Sequence, residues 1–306
     1  MKILIVARYK HGEYAPFITE QVAELESLGI NCRFFPVCSN GVLGYLKHVP
    51  GLRRAIKEFQ PDLIHAHYGL CGLLCNFQRK VSVVTTYHGS DINNPRVLPL
   101  SRLAMRLSGW NVFVSKQMID RAGCVRKFSL VPCGVNLDDY VETDKAGARK
   151  LMGLQTNLKY IIFAGAFDNA VKNVALAREV MSHIEGTELL ELKGYTRRQV
   201  ALLMYAADAL LMTSKTEGSP QVIKEALACG LPIVSVDVGD VRERIADVKG
   251  CHVTGRDADD MAAVLTEVLA ENRRTDGRAA IERKGLSGIQ AAKSLIDIYK
   301  RLVLMH

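Results

Sequence analysis

The chain has 306 residues, 48% of them hydrophobic and 24% charged, a balance that describes a soluble globular protein and excludes a disordered or fibrous one. At roughly 100 to 200 residues per domain, two domains are expected. The net charge of +8 is concentrated early: residues 1–140 carry 17 Lys and Arg against 10 Asp and Glu, while the remainder carries 23 against 22.

Lys2 to Ala7 reads as a strand, Phe17 to Leu28 as a helix ending at Gly29, and Asn31 to Pro36 as a second strand, which is a β-α-β unit. The apolar run Ile3 to Ala7 stops at Arg8, too short for a signal-peptide core or a membrane span, so a cytoplasmic protein is expected. The basic groups Lys47, His48, Arg53, Arg54 and Lys57, then Arg96, Arg102 and Arg106, describe a solvated helix face, a peripheral contact with anionic lipid at the inner face of the membrane, or a surface for an acidic acceptor. Short apolar runs at Leu63 to His67, Val81 to Thr86, Asn111 to Val114 and Ser129 to Val131 alternate with helical windows, the pattern of a parallel sheet covered on both faces.

Residues Cys133 to Leu158 read as a connection, after which the alternation restarts. Strands are expected at Tyr160 to Ala164, Glu188 to Leu192, Ala209 to Met212, Pro232 to Ser235 and Cys251 to Val253, giving a second, smaller α/β domain. The last segment, Ser287 to Leu304, places Ile289, Ala292, Leu295, Ile296, Tyr299, Leu302 and Val303 on one helical face that must be buried.

The stretch Thr216 to Ala226 lies between two of these strands and reads as a loop feeding a helix. Gly218 allows a close approach, Pro220 suits the first helical position, and the backbone N–H groups of Gln221, Val222 and Ile223 would point from the helix N-terminus, an end that attracts a diphosphate. Glu225, about one turn in, could accept hydrogen bonds from a ribose, and Glu217 would reach the other end of the same ligand. The alternatives are that Glu225 sits on a solvated face and that Glu217 only complements the helix dipole.

The run from Ala206 to Ile245, with Glu217 and Glu225 separated by seven residues, an E-G-x-P turn and a V-G-D-V-x-E segment, resembles the nucleotide-sugar site of glycosyltransferase family 4. Pro61 to Gly69, Thr86 to Asp91, Val112 to Lys116 and Val131 to Tyr140 resemble further segments of that family, in its order. The resemblance implies a GT-B fold of two Rossmann-like α/β domains facing across a cleft. These are an acceptor-side domain at 1–140, a nucleotide-sugar domain at 141–286, and a C-terminal helix at 287–306 crossing back to the first. It implies retaining transfer from a UDP- or GDP-sugar to a saccharide or lipid-linked acceptor, in cell-surface polysaccharide or glycoconjugate synthesis. No cofactor beyond the donor substrate, no metal and no nucleic-acid partner are implied.

By the same resemblance Glu217, His88 and Lys172 are the catalytic group, with Lys172 neutralising the diphosphate and His88 facing the donor sugar. Glu225, Gly165, Gly218, Ser219, Pro220, Gln221 and Val222 surround the donor. The chain departs from the pattern at Ala166, where an Arg usually follows the glycine, and between Val180 and Ala201, where one strand pattern replaces two. These departures motivate a second reading as a non-catalytic binding subunit; a third is another nucleotide-sugar enzyme such as an epimerase.

His65 and His67 share one strand face, and Asp257-Ala258-Asp259 starts a helix, where capping explains it. The eight cysteines, without zinc spacing, read as reduced thiols. There is no G-x-G-x-x-G and no P-loop, against a nicotinamide oxidoreductase or a P-loop ATPase, and Trp110 reads as a core residue.

Overall fold

A computed structural model describes residues 1–123 and 126–304, so Cys124 lies outside the described residues. The chain forms two compact units, residues 1–134 with 288–306, and residues 135–287.

In the first unit, strands β1 (Lys2–Arg8), β2 (Asn31–Val37), β3 (Leu63–His67), β4 (Val83–Tyr87), β5 (Trp110–Phe113) and β6 (Phe128–Leu130) pair in parallel in the order β2-β1-β3-β4-β5-β6. The interior of β1 and all of β3 and β4 are buried; β1 is a continuous apolar run, while β3 and β4 also bury His65, His67, Thr85 and Thr86. Edge strand β2 has only Val37 buried. The helix Gly288–Leu304 belongs to this unit and packs Leu295, Tyr299 and Leu302 into the cluster formed by Ile3, Ile5 and Ile18. Its buried face is narrower than the spacing predicts, because Ile289 and Val303 sit at the rim, more than a third exposed. Trp110 is half-buried and donates through Nε1 to Ser129 Oγ at 3.1 Å.

In the second unit, β7 (Lys159–Phe163), β8 (Thr187–Glu191), β9 (Ala209–Met212), β10 (Ile233–Val236) and β11 (Cys251–Thr254) form a parallel sheet in the order β11-β10-β9-β7-β8. One strand, β8, lies between β7 and the helix Arg197–Ala206, matching the shortened pattern of the sequence. Residues 135–158 are not the connection expected. They carry a helix, Lys145–Met152, capped by Asp144, whose Oδ1 accepts from Gly147 N at 2.8 Å, and closed by Gly153 in the left-handed region. Val135, Tyr140 and Ala148 are buried in the core of this unit.

Asp257 accepts from Asp260 N at 3.0 Å and caps the helix Ala258–Glu271, as capping chemistry predicts. Cys71 and Cys75 are buried free thiols; among the described residues no cluster of metal-ligating side chains is found and no helix is long and apolar enough to cross a membrane. Arg53, Arg54 and Lys57 are exposed on the helix Val49–Phe59.

Candidate functional site

In a parallel α/β sheet, ligands bind beyond the carboxyl ends of strands where the chain order reverses. In the second unit that point lies between β7, which leads outward to β8, and β9 on its other side. The loops that follow β7 and β9 bring Lys172 and Glu217 together there: Lys172 Nζ donates to Glu217 Oε1 at 2.7 Å, both side chains being mostly covered. The lysine loop is anchored to β9 because Thr213 Oγ1 donates to the carbonyls of Lys172 and Asn173 at 3.0 Å, and Lys215 N donates to Val171 O at 2.8 Å.

Gly165 is where the lysine chain crosses the backbone. A Cβ there would lie 2.7 Å from Lys172 Cγ and 3.0 Å from its Cδ. The resemblance assigned Gly165 to the nucleotide; its geometry shows a second requirement, room for Lys172.

The turn at Gly218 to Pro220 leads into the helix Gln221–Ala228. Pro220 stands at the N-cap rather than the first helical position, and the Ile223 N–H is returned to the Pro220 carbonyl at 3.3 Å, so it is not an outward donor. Ser219 Oγ donates to Asp240 Oδ2 at 2.7 Å, and Asp240 also accepts from Arg244 Nε at 2.8 Å. Gly239 (φ +57°) backs the same turn so closely that a Cβ would meet Gly218 O at 2.7 Å. The V-G-D segment therefore supports the turn, a role its residue types did not announce. Val222 is half-buried at the same helix end, packed against the apolar core, and Gln221 Oε1 accepts from the buried Lys224 Nζ at 3.0 Å.

Glu225 is not on a solvated face. Its Oε1 accepts from Arg197 Nη1 at 3.1 Å, and the same Arg197 nitrogen donates to Tyr140 OH at 2.7 Å. Burial raises the carboxyl above its ordinary range, and the Arg197 charge works against that rise. Arg197 is thus held by Glu225, and Arg242 pairs with Asp237 at 2.7 Å.

His88 belongs to the first unit, just past β4. His67 lies opposite Thr86 in the β3–β4 register, so His88, two residues further on, faces it: His67 Nδ1 and His88 Nε2 are 3.0 Å apart with rings nearly parallel. His65 stacks on His67 at 4.4 Å and bonds Thr86 Oγ1 at 2.7 Å and Tyr299 OH at 2.6 Å. Asp91 closes the loop after His88 by accepting from the backbone N–H groups of His88 and Gly89 through Oδ1 and of Gly69 through Oδ2.

Burial lowers His65 to about 3 and His67 well below 6.5, so both are neutral in the fold, while burial raises Asp91 to about 6. The unfolded chain takes up a proton on each histidine near 6.5 and the folded chain does not, so these two sites lose stability as pH falls from 6.5 toward 3. Asp91 acts oppositely between 3.8 and 6, where the folded chain binds the proton first. Two histidines outweigh one aspartate. The urea midpoint should therefore be lower at about pH 5 than at about pH 7.5, with part of the difference lost in His65→Gln; equal midpoints would contradict the assignment.

Two family models match the chain: Glycosyltransferase Family 4 over residues 14–139 and Glycosyl transferases group 1 over residues 160–271. Residues 14–139 thus belong to glycosyltransferase family 4 and residues 160–271 to the glycosyl transferases of group 1, and the two parallel-sheet units have the GT-B fold. It is 25% identical to D-inositol 3-phosphate glycosyltransferase of Geodermatophilus obscurus over 78% of this chain and 66% of that protein, so the chain spans just under two thirds of this relative's length. Among solved structures, sucrose-phosphate synthase from Thermosynechococcus elongatus superposes with a TM-score of 0.86 at 16% identity, covering 100% of both chains. Anabaena Alr3699/HepE in complex with UDP-glucose gives 0.76 at 17% identity, covering 98% of this chain and 100% of that one.

Proposed function

We propose that the chain transfers a glycosyl group from a UDP- or GDP-sugar to a hydroxyl of a saccharide or lipid-linked acceptor, with retention at the anomeric carbon and without a catalytic metal. The observation that carries this reading is the Lys172–Glu217 pair at the crevice between β7 and β9, beside the turn that feeds the helix bearing Glu225. Lys172 meets the negative charge that develops on the leaving diphosphate, Glu217 orients the sugar, and the acceptor oxygen attacks from the leaving-group face as the phosphate takes up its proton. Glu225, already set by Arg197 and Tyr140, holds the ribose hydroxyls. The UDP-glucose bound by the Anabaena protein supports a nucleotide-sugar as the ligand of this fold.

Calorimetric titration with UDP, GDP and ADP tests the site. Glu225→Ala should weaken the nucleotide that binds by about tenfold or more, the cost of a charge-assisted hydrogen bond, while Glu217→Ala should lower turnover at saturating donor. Unchanged behaviour in both variants would remove these residues from the donor site. Activity that survives EDTA and a product of unchanged anomeric configuration by NMR are expected; inversion would overturn the retaining assignment. Ala166 favours one other reading, a binding subunit without turnover, which predicts nucleotide affinity with no sugar transfer to any acceptor.

A further inference from the structure

A pocket of about 710 Å³ opens at the amino ends of β3, β4 and β5, the end of the first unit's sheet opposite to His88. It lies between the turn at residues 78–81, the end of the helix Leu98–Leu107, and Leu302 of the last helix. Val83 at the amino end of β4 lines it and His88 follows the carboxyl end, so the two are roughly 16 Å apart along one strand. A ligand here takes no part in the transfer chemistry.

Four cations border this pocket, Arg79, Lys80, Arg106 and Lys127, all of them exposed. None forms an ion pair among the described residues. Among the described residues of the lining the one acid is Asp62, whose Oδ2 accepts from Lys2 N at 2.7 Å. Arg106 and Lys127 also border the adjoining cavity, whose lining adds Arg102 and Arg126 and, among the described residues, no acid.

The backbone that carries these cations is fixed. Buried Gln78 folds its turn, with Nε2 donating to Val81 O at 2.6 Å and Oε1 accepting from Lys80 N at 2.7 Å and Val81 N at 2.9 Å. Lys127 O accepts from the N–H of buried Asn111 at 2.8 Å. Arg79 and Lys127 stand at φ +61° and +55°, a left-handed conformation in which glycine or asparagine costs less, so neither turn by itself calls for a long cation. The floor is polar as well: Asn76 and Ser108 are buried there, with Asn76 Nδ2 donating to Ser108 Oγ at 3.0 Å.

We infer that this pocket binds a small ligand bearing two or more phosphate groups, at a site separate from the donor site. Four cations less one acid leave three positive charges, more than the charge of about −2 on a single phosphate balances. Arg79 and Arg106 offer planar forks that match phosphate oxygens, and Lys80 and Lys127 add point charges. The volume lies within the range of about 300–1,000 Å³ that holds small ligands. The phosphates belong to a free compound or to the headgroup of a lipid.

The test is calorimetric titration of the full chain with inorganic tripolyphosphate, UDP being present in excess to fill the donor site. A second arm measures sedimentation with phosphatidylcholine vesicles with and without cardiolipin, whose headgroup carries two phosphates. Arg79→Gln combined with Arg106→Gln should weaken binding about tenfold or more. Lys80→Gln with Lys127→Gln, the other exposed pair, gives the same readout should the first not fold. Binding of tripolyphosphate that is lost in these variants identifies a free ligand; binding of cardiolipin vesicles alone, lost in the same variants, identifies a headgroup. Lys172→Met should leave either affinity unchanged whether or not UDP binds, so the outcome does not depend on the donor reading. No binding in either arm, affinities that both pairs leave within about twofold, or displacement of tripolyphosphate by UDP would overturn the inference.

Discussion

Lys172→Met is expected to lower kcat by about 100- to 1,000-fold, the range seen when one preorganised donor to a developing negative charge is removed. The side chain is poised by three features of the second unit. Thr213 fixes its backbone, Gly165 leaves room for its methylenes, and Glu217 receives its ammonium at 2.7 Å. Methionine keeps the length and packing of the chain and removes only the charge, so a thermal melt near that of the wild type should accompany the loss. Gly165→Ala should act on the same group from below: the added Cβ, at 2.7 Å from Lys172 Cγ, must push the lysine off its path. A rate for Lys172→Met within about threefold of wild type would show that the lysine only anchors Glu217, because a transition-state donor cannot be removed so cheaply.

Strands such as β1 and β7 were readable because their interiors are buried and apolar on both faces, so a run such as Ile3 to Ala7 or Ile161 to Ala164 has no other sensible placement. The helix Lys145–Met152 was missed because its charged residues hid a narrow buried face, although Asp144 and Gly153 are the cap residues that would have marked it. Local spacing and the family resemblance point to Glu217 and Glu225, and the resemblance alone points to Lys172. What holds them could not be read, since Arg197 meets Glu225 and Tyr140 across 28 and 57 residues of chain. The resemblance places the Ser219 backbone near the donor; that its hydroxyl is turned to Asp240 follows only from the fold. His65 and His67 were legible as a pair from the two-residue period of a strand, whereas His88 and Tyr299 join them only through sheet register and the packing of the last helix.

The largest loss of stability is expected at Asp208, which has no part in the proposed chemistry. It stands between the helix Arg197–Ala206 and β9, inside a stretch that is otherwise apolar, with a side chain only 3% exposed. Oδ2 accepts from Arg149 Nη2 and from Tyr160 N, each at 2.8 Å, and Oδ1 accepts from Lys145 Nζ at 2.6 Å. Asp208→Ala would leave Arg149 buried without its acid and the first N–H of β7 but one without an acceptor, so a loss of about 3–5 kcal/mol is expected in urea denaturation. Breaking the pair costs more than replacing it, because the cost comes from the orphaned guanidinium. Asp208→Leu combined with Arg149→Met should therefore be more stable than Asp208→Ala alone, while remaining below wild type because Tyr160 N still lacks its partner. A double variant that is less stable than the single one would mean that Arg149, through its further bonds to the carbonyls of Ala206 and Thr156, contributes more to the fold than its pairing with Asp208 does.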